Sequence, residues 1–393
     1  MNGVKHWLRH ALTVGMVLLL VACGSVPLAP APAPVSVVDI PAPVLKPQPG
    51  ALSLPPQLGD VPSLQRGKSR WVAVPWSELP GFDTDALFEA WNAWLKSCER
   101  PGPVFAPLCP EIRRLSIGGE EAQRQWLLTR LQPYRVEPLQ GSAVGLLTAY
   151  YEPEFDAQRV RSVGFEVPLY QPPATLNARK PWFTRQDMET LPDALAALRG
   201  REIVYLADPV QALVIQIQGS GRVRVTEPDG RLQQVRLAYA GHNGHPYQSI
   251  GRWLIDQGEL QDASWPGIAA WMRQNPQRVR DLLWRNPRVV FFKEEPLSEF
   301  DSGFGPRGAQ GVPLTPGRSI AVDPESIPYG TPVWLASVGP QISLQRLVLA
   351  QDTGTAIRGA VRADYFAGWG SAAGELAGRL KQPLQMWVLW PKP

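Results

Sequence analysis

Three aspartates stand where an apolar run ends or beside aromatic residues, and they are the side chains best suited to acid chemistry. Asp323 ends "RSIAVD", Asp352 ends "RLVLAQD", and Asp364 lies in "VRADYF". Apolar surface or a second carboxylate nearby disfavours the ionised form of such a group, so its pKa rises. An aspartate with a raised pKa can donate a proton near neutral pH, which glycosidic bond cleavage requires. The alternative is that these aspartates only cap turns by binding backbone amides.

Serine and histidine candidates for catalysis are weaker. Ser220 lies between two glycines in "QIQGSGR", but Gln218 stands where a nucleophile elbow needs glycine, so a tight turn near a ligand is favoured. His242 and His245 in "YAGHNGHPY" lack an evident third metal ligand, which favours turn histidines that contact backbone or sugar. The sequence therefore predicts no metal site and no cofactor.

Composition and charge describe a folded chain with a weak basic excess. The 393 residues are 44% hydrophobic and 19% charged, which suits two modest domains and not a disordered protein. The net charge of +4 comes without a block of Lys and Arg, so nucleic acid is not predicted as a partner. With 42 prolines, a helix-dominated architecture is disfavoured.

The first residues have the pattern of an export signal. Lys5 and Arg9 precede a short apolar stretch, and "LVAC" follows at residues 20–23. This ending resembles the bacterial lipobox, which implies a signal peptide at 1–22 and lipidation of Cys23. Gly24 after the cysteine implies sorting to the outer membrane, where lipid holds the protein at the periplasmic face. The alternative is an uncleaved anchor helix with a chance cysteine.

The segment after the signal predicts a tether. Residues 23–66 are rich in proline, alanine and valine without periodicity, which is typical of an extended polyproline-like spacer. Two cysteines remain in the globular part, and in an exported chain Cys98 and Cys109 form a possible disulfide.

The globular part predicts strands with helices around them. Helical spacing of apolar residues predicts helices in "FDTDALFEAWNAWLKSC", starting at Asp83 or Thr84, in "GEEAQRQWLLTRLQP", and across residues 249–286. Short β-rich runs predict strands in "AVGLLTAYY", "ALVIQIQGSG" and "RVRVT", and again from "RVVFFK" to "LQMWVLWP". The predicted fold class is mainly β with peripheral helices, arranged as two β-barrel-like units.

Six segments, in order along the chain, together resemble one known family. They are "LTAYYEP" (147–153), "IQIQGSGRV" (215–223), "YAGHNGHPYQSIGRWLID" (239–256), "NPRVVFF" (286–292), "GVPLTPGRSIAVDP" (311–324) and "DTGTAIRGAVRADYFAGWG" (352–370). This set resembles the membrane-bound lytic murein transglycosylase A (MltA) family. Residues from about 300 to 393 resemble the 3D domain, named for three aspartates, which here are Asp323, Asp352 and Asp364.

The resemblance implies a fold and a domain division. The fold is a double-psi β-barrel with a second, smaller β-barrel inserted in its chain, and glycan lies in the groove between them. The inserted domain takes residues 154–294, and the catalytic barrel combines residues 67–153 with 295–393.

The resemblance also implies an activity, that of a peptidoglycan lytic exotransglycosylase, a carbon–oxygen lyase. Such enzymes cut the β-1,4 bond between N-acetylmuramic acid (MurNAc) and N-acetylglucosamine (GlcNAc) and leave 1,6-anhydro ends. Asp364 matches the catalytic acid that later acts as base, and Asp352 matches its neighbour. The implied substrate-binding residues are Tyr150, Tyr151, Gln218, Ser220 and Asp323. The implied partners are peptidoglycan strands, the outer membrane through the lipid, and possible cell-wall synthesis proteins.

Two alternatives stay open at this point. A non-catalytic peptidoglycan-binding outer-membrane lipoprotein would share the signal, the tether and the groove, but it has no need of an aspartate in an apolar pocket. A glycosidase with two carboxylates would leave reducing ends in place of anhydro ends.

Overall fold

A computed structural model describes residues 63–392 of the chain. The predicted signal peptide at 1–22, the lipidation site Cys23 and most of the predicted tether lie outside the described residues. The last four residues assigned to the tether are described, and they form a strand that pairs with the next one. Folded structure therefore begins no later than Ser63, earlier than the boundary at residue 67 that the sequence predicts.

Strands dominate the described residues. The strands are β1 (Ser63–Arg66), β2 (Ser69–Ala73), β3 (Leu131–Pro138), β4 (Gly145–Glu152), β5 (Glu154–Gln158), β6 (Val167–Tyr170), β7 (Glu202–Leu206), β8 (Ser220–Thr226), β9 (Leu232–His242), β10 (Val290–Pro296), β11 (Ser319–Val322), β12 (Pro332–Val338), β13 (Ser343–Asp352), β14 (Arg362–Trp369) and β15 (Lys381–Pro391). The helices are α1 (Leu87–Ser97), α2 (Cys109–Arg114), α3 (Glu120–Arg130), α4 (Arg185–Thr190), α5 (Pro192–Leu198), α6 (Pro209–Gln218), α7 (Ile250–Asp256), α8 (Trp265–Gln274), α9 (Val279–Trp284), α10 (Glu299–Ser302) and α11 (Gly370–Arg379).

The first sheet closes into a barrel. Its nine strands have the order β1-β2-β3-β15-β12-β13-β11-β14-β4, and β15 also pairs with β4. Six strands, β15-β12-β13-β11-β14-β4, thus form a closed ring, in which the pairs β11–β13 and β14–β4 are parallel. The first half of β15 closes the ring against β4, and its second half pairs with β3. Closure leaves these six strands without an exposed edge over the paired length.

The strands of the second sheet come between β4 and β11 in the sequence. Its order is β10-β9-β8-β5-β7-β6, and all six strands fall between Glu154 and Pro296. The two sheets with minor helices confirm the predicted mainly β fold class. The domain division at residues 154–294 stays our proposal, which the segregation of strands supports.

One segment differs from the sequence prediction. The run "ALVIQIQGSG" predicts a strand, but most of it belongs to helix α6. Asp208 caps this helix by accepting a hydrogen bond from the Val210 backbone N–H, and Gly219 ends it with a φ of 83°. Because α6 packs the Ile215 side against the second sheet and the Leu213 side against α7–α9, both faces are apolar and the helical periodicity is hidden.

Apolar residues fill the barrel and cover its outside. Inside, branched residues such as Val333, Leu335 and Val348 are fully buried. Outside, Trp91, Trp94 and Trp126 of α1 and α3 pack with ring centroids 5.4–5.6 Å apart. In this outer cluster the structure joins the two cysteines that the sequence marks as a possible disulfide, Cys98 and Cys109.

A buried ion pair fixes the first helix to the barrel. Arg318 is 1% exposed, and its Nη1 donates to Asp85 Oδ2 at 2.8 Å. The same carboxylate oxygen accepts the Leu347 backbone N–H at 2.8 Å, and Arg318 Nη2 donates to Glu89 Oε2 at 2.8 Å. The guanidinium therefore joins the start of α1 to β13.

We predict that Arg318→Ala lowers the free energy of unfolding by about 3–5 kcal/mol, because it leaves Asp85 buried without its partner. The exposed pair of Arg252 and Asp256 supplies a control, for which Arg252→Ala costs no more than about 0.5 kcal/mol. Urea unfolding measures both, and equal losses in the two variants would contradict this assignment.

Candidate active site

Four neighbouring strands of the barrel place three polar side chains and one alanine in a row. Ala321 of β11 is paired with Asp352 of β13 on one side and with Asp364 of β14 on the other. Asp364 is in turn paired with Thr148 of β4. All four residues line the same cavity. The α-carbons of the two aspartates are two strand spacings apart, roughly 10 Å, with only the alanine methyl between them.

A β-bulge brings the first aspartate into this row. The register of β11 and β13 shifts between Ile320 and Ala321, so that Gln351 is left over and Asp352 stands opposite Ala321. The Gln351 side chain is fully buried, and its Nε2 donates to the Ala93 carbonyl and to Ser97 Oγ, both at 2.8 Å. Helix α1 thus holds the bulge that aims Asp352 at the cavity.

The cavity has a volume of about 830 Å³ and lies between the row and the second sheet. One wall consists of the row, Tyr150 and the loops at 306–309 and 353–358. The opposite wall comes from α6, β8, β9 and β10 and includes Gln218, Ser220 and His242. The size and the open shape suit several sugar units of a polymer.

Asp364 lies at the centre of the row and is only partly exposed to the cavity. Burial raises the pKa of its carboxyl above the ordinary value, against the opposing effects of a hydrogen bond from Thr148 and the charge of Arg362. The Thr148 hydroxyl donates to Asp364 Oδ1 and accepts a bond from Arg362 Nη2 at 2.8 Å. The carboxyl can therefore hold a proton at higher pH than a solvated aspartate, and one fixed donor orients it.

Asp352 is held in place by two donors. Its Oδ2 accepts the Tyr150 hydroxyl and its Oδ1 accepts the Ala309 backbone N–H, both at 2.9 Å. Burial raises the pKa of Asp352 despite these bonds, and burial together with the Asp352 charge raises the pKa of Tyr150 well above its ordinary value. Tyr150 therefore stays protonated and remains a hydrogen-bond donor.

The structure brings three of the predicted substrate-binding residues to the cavity and leaves one tyrosine outside. Tyr150, Gln218 and Ser220 line it. Tyr151 points to the other face of β4, where its ring packs against Gly374 of α11 so closely that an added Cβ there would lie 2.9 Å from the ring. Tyr151 contributes to the cavity wall only through its backbone N–H, which donates to Gln218 Oε1 at 3.1 Å. The prediction of Tyr151 as a cavity side chain is therefore wrong.

Asp323 also lies outside the cavity lining. It is 1% exposed, and its carboxylate accepts the backbone N–H of Glu325 at 3.1 Å and of Gly359 at 2.9 Å. These bonds tie the turn after β11 to the loop that precedes β14. This geometry fits the turn-capping alternative. Asp323 therefore supports the cavity wall, and its predicted role in binding substrate is corrected.

Sequence reasoning did not identify Thr148 and Arg362 as neighbours of Asp364. Thr148 reaches Asp364 from β4, whereas Arg362 lies two residues before Asp364 on β14 and donates to the Thr148 hydroxyl. His242 lines the cavity, and its Nδ1 accepts the Gly244 N–H at 2.9 Å, which places the proton of the neutral ring on Nε2. Burial, followed by the charges of Arg288 and Lys180, lowers the pKa of His242.

Among residues 63–392, no group of three or more His, Cys, Asp and Glu side chains is placed to hold a metal ion.

The protein combines a closed barrel, an inserted sheet and a cleft that contains two aspartates with raised pKa values. Two family models match this chain. The model of the MltA specific insert domain matches residues 146–293, and the model of the 3D domain matches residues 318–390. The chain belongs to the MltA family. Within the described residues, none of the helices has both the length and the apolar character that crossing a membrane requires.

Relatives of known structure and name agree with this assignment. The lytic transglycosylase LtgG of Burkholderia pseudomallei is 43% identical, with a TM-score of 0.57 over 85% of this chain and 98% of its own. MltA of Neisseria gonorrhoeae is 29% identical, with a TM-score of 0.70 over 88% and 96%. The membrane-bound lytic murein transglycosylase A of Escherichia coli K12 is 35% identical over 260 residues, which cover 63% of this chain and 66% of that protein. The match thus spans just under two thirds of this curated relative.

We predict that Thr148→Val raises the pKa of Asp364 further, because the carboxylate loses a donor that favours its ionised form. Titration of the side-chain carboxyl carbon by NMR measures this shift. Thr148→Ser keeps the hydroxyl and should leave the pKa close to that of the unchanged protein. An unchanged pKa in the valine variant would remove Thr148 from the site.

Proposed function

We propose that this protein is a lytic transglycosylase that cuts the β-1,4 bond between MurNAc and GlcNAc of peptidoglycan and leaves 1,6-anhydro ends. The observation that carries the proposal is Asp364, a carboxyl in the cavity whose pKa burial raises. Mere binding of glycan gains nothing from such a group, because its ionisation costs free energy in the folded state. The names of the relatives, lytic transglycosylases and lytic murein transglycosylase A, support the same activity.

The proposed reaction needs one acid. Protonated Asp364 gives its proton to the bridging oxygen while the bond from C1 to that oxygen breaks and positive charge develops on the muramic ring. The C6 hydroxyl of the same ring then bonds to C1 and returns a proton to the Asp364 carboxylate. Because the attacking oxygen is tethered to the reacting sugar, its effective concentration replaces a positioned water. The enzyme ends in its starting protonation state.

In the proposed reaction, neighbouring side chains assist Asp364. The hydroxyl of Thr148 stabilises the carboxylate that exists between the two proton transfers, and Arg362 supports that hydroxyl. Asp352 lies too far along the row to share the proton directly, and its two donors orient its charge toward the cavity. In the proposal, Asp352 stabilises the positive charge on the ring and Tyr150 fixes its position.

We predict that Asp364→Asn lowers kcat at least about 100-fold, because the amide can neither donate nor accept the proton. The assay is digestion of purified sacculi with mass spectrometry of the fragments. Anhydro ends, lighter than reducing ends by one water, are expected from the unchanged protein. Reducing ends would show hydrolysis instead, and no released fragments would show a glycan-binding lipoprotein.

Stability separates lost chemistry from lost folding in this variant. The raised pKa of Asp364 means that its ionised form destabilises the folded state above that pKa, so Asp364→Asn should melt at the same or a higher temperature at neutral pH. Asp256→Asn, in the exposed pair with Arg252, is the control and should retain full activity. Full activity in Asp364→Asn would place the acid elsewhere.

We further propose that the protein is anchored by lipid on Cys23 at the periplasmic face of the outer membrane. The lipobox-like "LVAC" supports this location, and so does the word membrane-bound in the name of the Escherichia coli relative. Expressed with its own signal, the unchanged chain should be recovered with outer membranes and take up labelled fatty acid. Cys23→Ser should abolish the label and the recovery with outer membranes, and a labelled serine variant would contradict the proposal.

A further inference from the structure

The cavity contains more positive charge than neutral sugars require. Four basic side chains line it, namely Arg288, Lys293, Arg307 and Arg358. Lys293 is paired with Glu295 at 2.7 Å. Its charge is therefore balanced, and three arginines remain to be explained.

Two of these arginines bind only backbone oxygens among the described residues. Arg288 Nη1 donates to the His245 carbonyl at 3.1 Å, and Arg307 Nη1 donates to the Gly311 carbonyl at 3.0 Å. Neither forms an ion pair with a carboxylate in residues 63–392. Each guanidinium has five N–H donors, so most of its hydrogen-bonding capacity is available to a ligand.

The third arginine has a distant and already occupied partner. Arg358 is 55% exposed, and its nearest carboxylate is the buried Asp323 at 3.8 Å. Asp323 already accepts the Glu325 and Gly359 N–H groups, so Arg358 is poorly compensated. A guanidinium in this position can turn toward an anion in the cavity.

The acids of the cavity do not balance the arginines. Glu295 is paired with Lys293. Asp352 accepts the Tyr150 hydroxyl and the Ala309 N–H, and Asp364 accepts the Thr148 hydroxyl. Among residues 63–392, neither aspartate forms an ion pair with the three arginines. After burial, the charges of Arg288 and Lys180 also lower the pKa of His242, which lies on the same wall as Arg288. The cleft therefore presents a positive field to its ligand.

Guanidinium groups recognise carboxylates through paired hydrogen bonds, and N-acetylglucosamine carries none. The carboxylates of peptidoglycan lie on the peptide stems, and on the lactyl group of muramic acid where no stem is attached, because a stem converts that carboxyl group to an amide. We propose that Arg288, Arg307 and Arg358 bind these carboxylates, so that the cleft selects acidic, peptide-bearing strands over neutral glycan. This inference rests on the proposed function and adds the feature of the substrate that is recognised.

The positions of the three arginines suit this role. Arg307 is two residues before Ala309, whose N–H holds Asp352, and Arg358 precedes Gly359, whose N–H binds Asp323. Both therefore flank the row of aspartates on the barrel wall. Arg288 stands on the opposite wall just before β10. A glycan between the walls would carry its stems toward one or the other.

The test compares two forms of one polymer. Solubilised peptidoglycan strands are used with native stems or with their carboxyl groups converted to methylamides. For the native strands, Arg307→Gln and Arg358→Gln should each raise KM about three- to tenfold with kcat retained, as expected for the loss of a partly exposed charge pair. For the amidated strands, both variants should match the unchanged protein. Arg252→Gln, an exposed arginine outside the cavity lining, is the control and should change neither substrate.

Each other outcome overturns a specific claim. Equal losses on both substrates would mean that the substitutions disturb the loops, and no loss on either would mean that the arginines bind no substrate carboxylate. Either result removes the inference while the proposed function stands. Absence of anhydro ends from both substrates with the unchanged protein would instead remove the proposed function and the inference with it.

Discussion

The pairing of β15 with β4 is the constraint on which the rest of the structure depends. It closes six strands into a barrel in which β4 lies beside β14, β14 beside β11, and β11 beside β13. Because β-sheet register is set in steps of one residue, a slip of any of these strands would turn its polar residue to the other face. The row of Asp352, Ala321, Asp364 and Thr148 exists only in a closed and correctly registered barrel.

The two walls of the cleft are joined by a buried charge cluster. Glu152, at the end of β4, is fully buried and accepts bonds from Arg222 Nε at 2.8 Å and Arg236 Nε at 2.6 Å. Both arginines also donate to the Phe304 carbonyl, and Arg222 stacks on Trp369 at 3.9 Å. Separating these buried ions would leave charges without partners, which is costly, so their relative positions are restricted. The second sheet is therefore held at a defined place against the barrel, which preserves the width of the cleft.

The two aspartates of the cleft lower the stability of the folded protein. Burial raises the pKa values of Asp352 and Asp364, so each ionised carboxylate is less stable folded than unfolded. The structure offsets part of this cost with the hydroxyls of Tyr150 and Thr148 and the charge of Arg362. Such local instability is tolerated where it serves function, because the well-packed barrel around it supplies the missing free energy.

The sequence by itself determined the mainly β class and most helices and strands, because apolar periodicity is a local property. It also marked Asp352 and Asp364 as candidate acids, through motifs that resemble the MltA family. It failed at α6, whose two apolar faces hide the helical period, and at Tyr151, whose direction depends on which face of β4 meets the cavity. Only the tertiary structure decided that the bulge at Gln351 turns Asp352 toward the cavity and that Thr148 reaches Asp364 from 216 residues away. Strand register and contacts between distant segments depend on the whole barrel at once, so no short stretch of sequence encodes them.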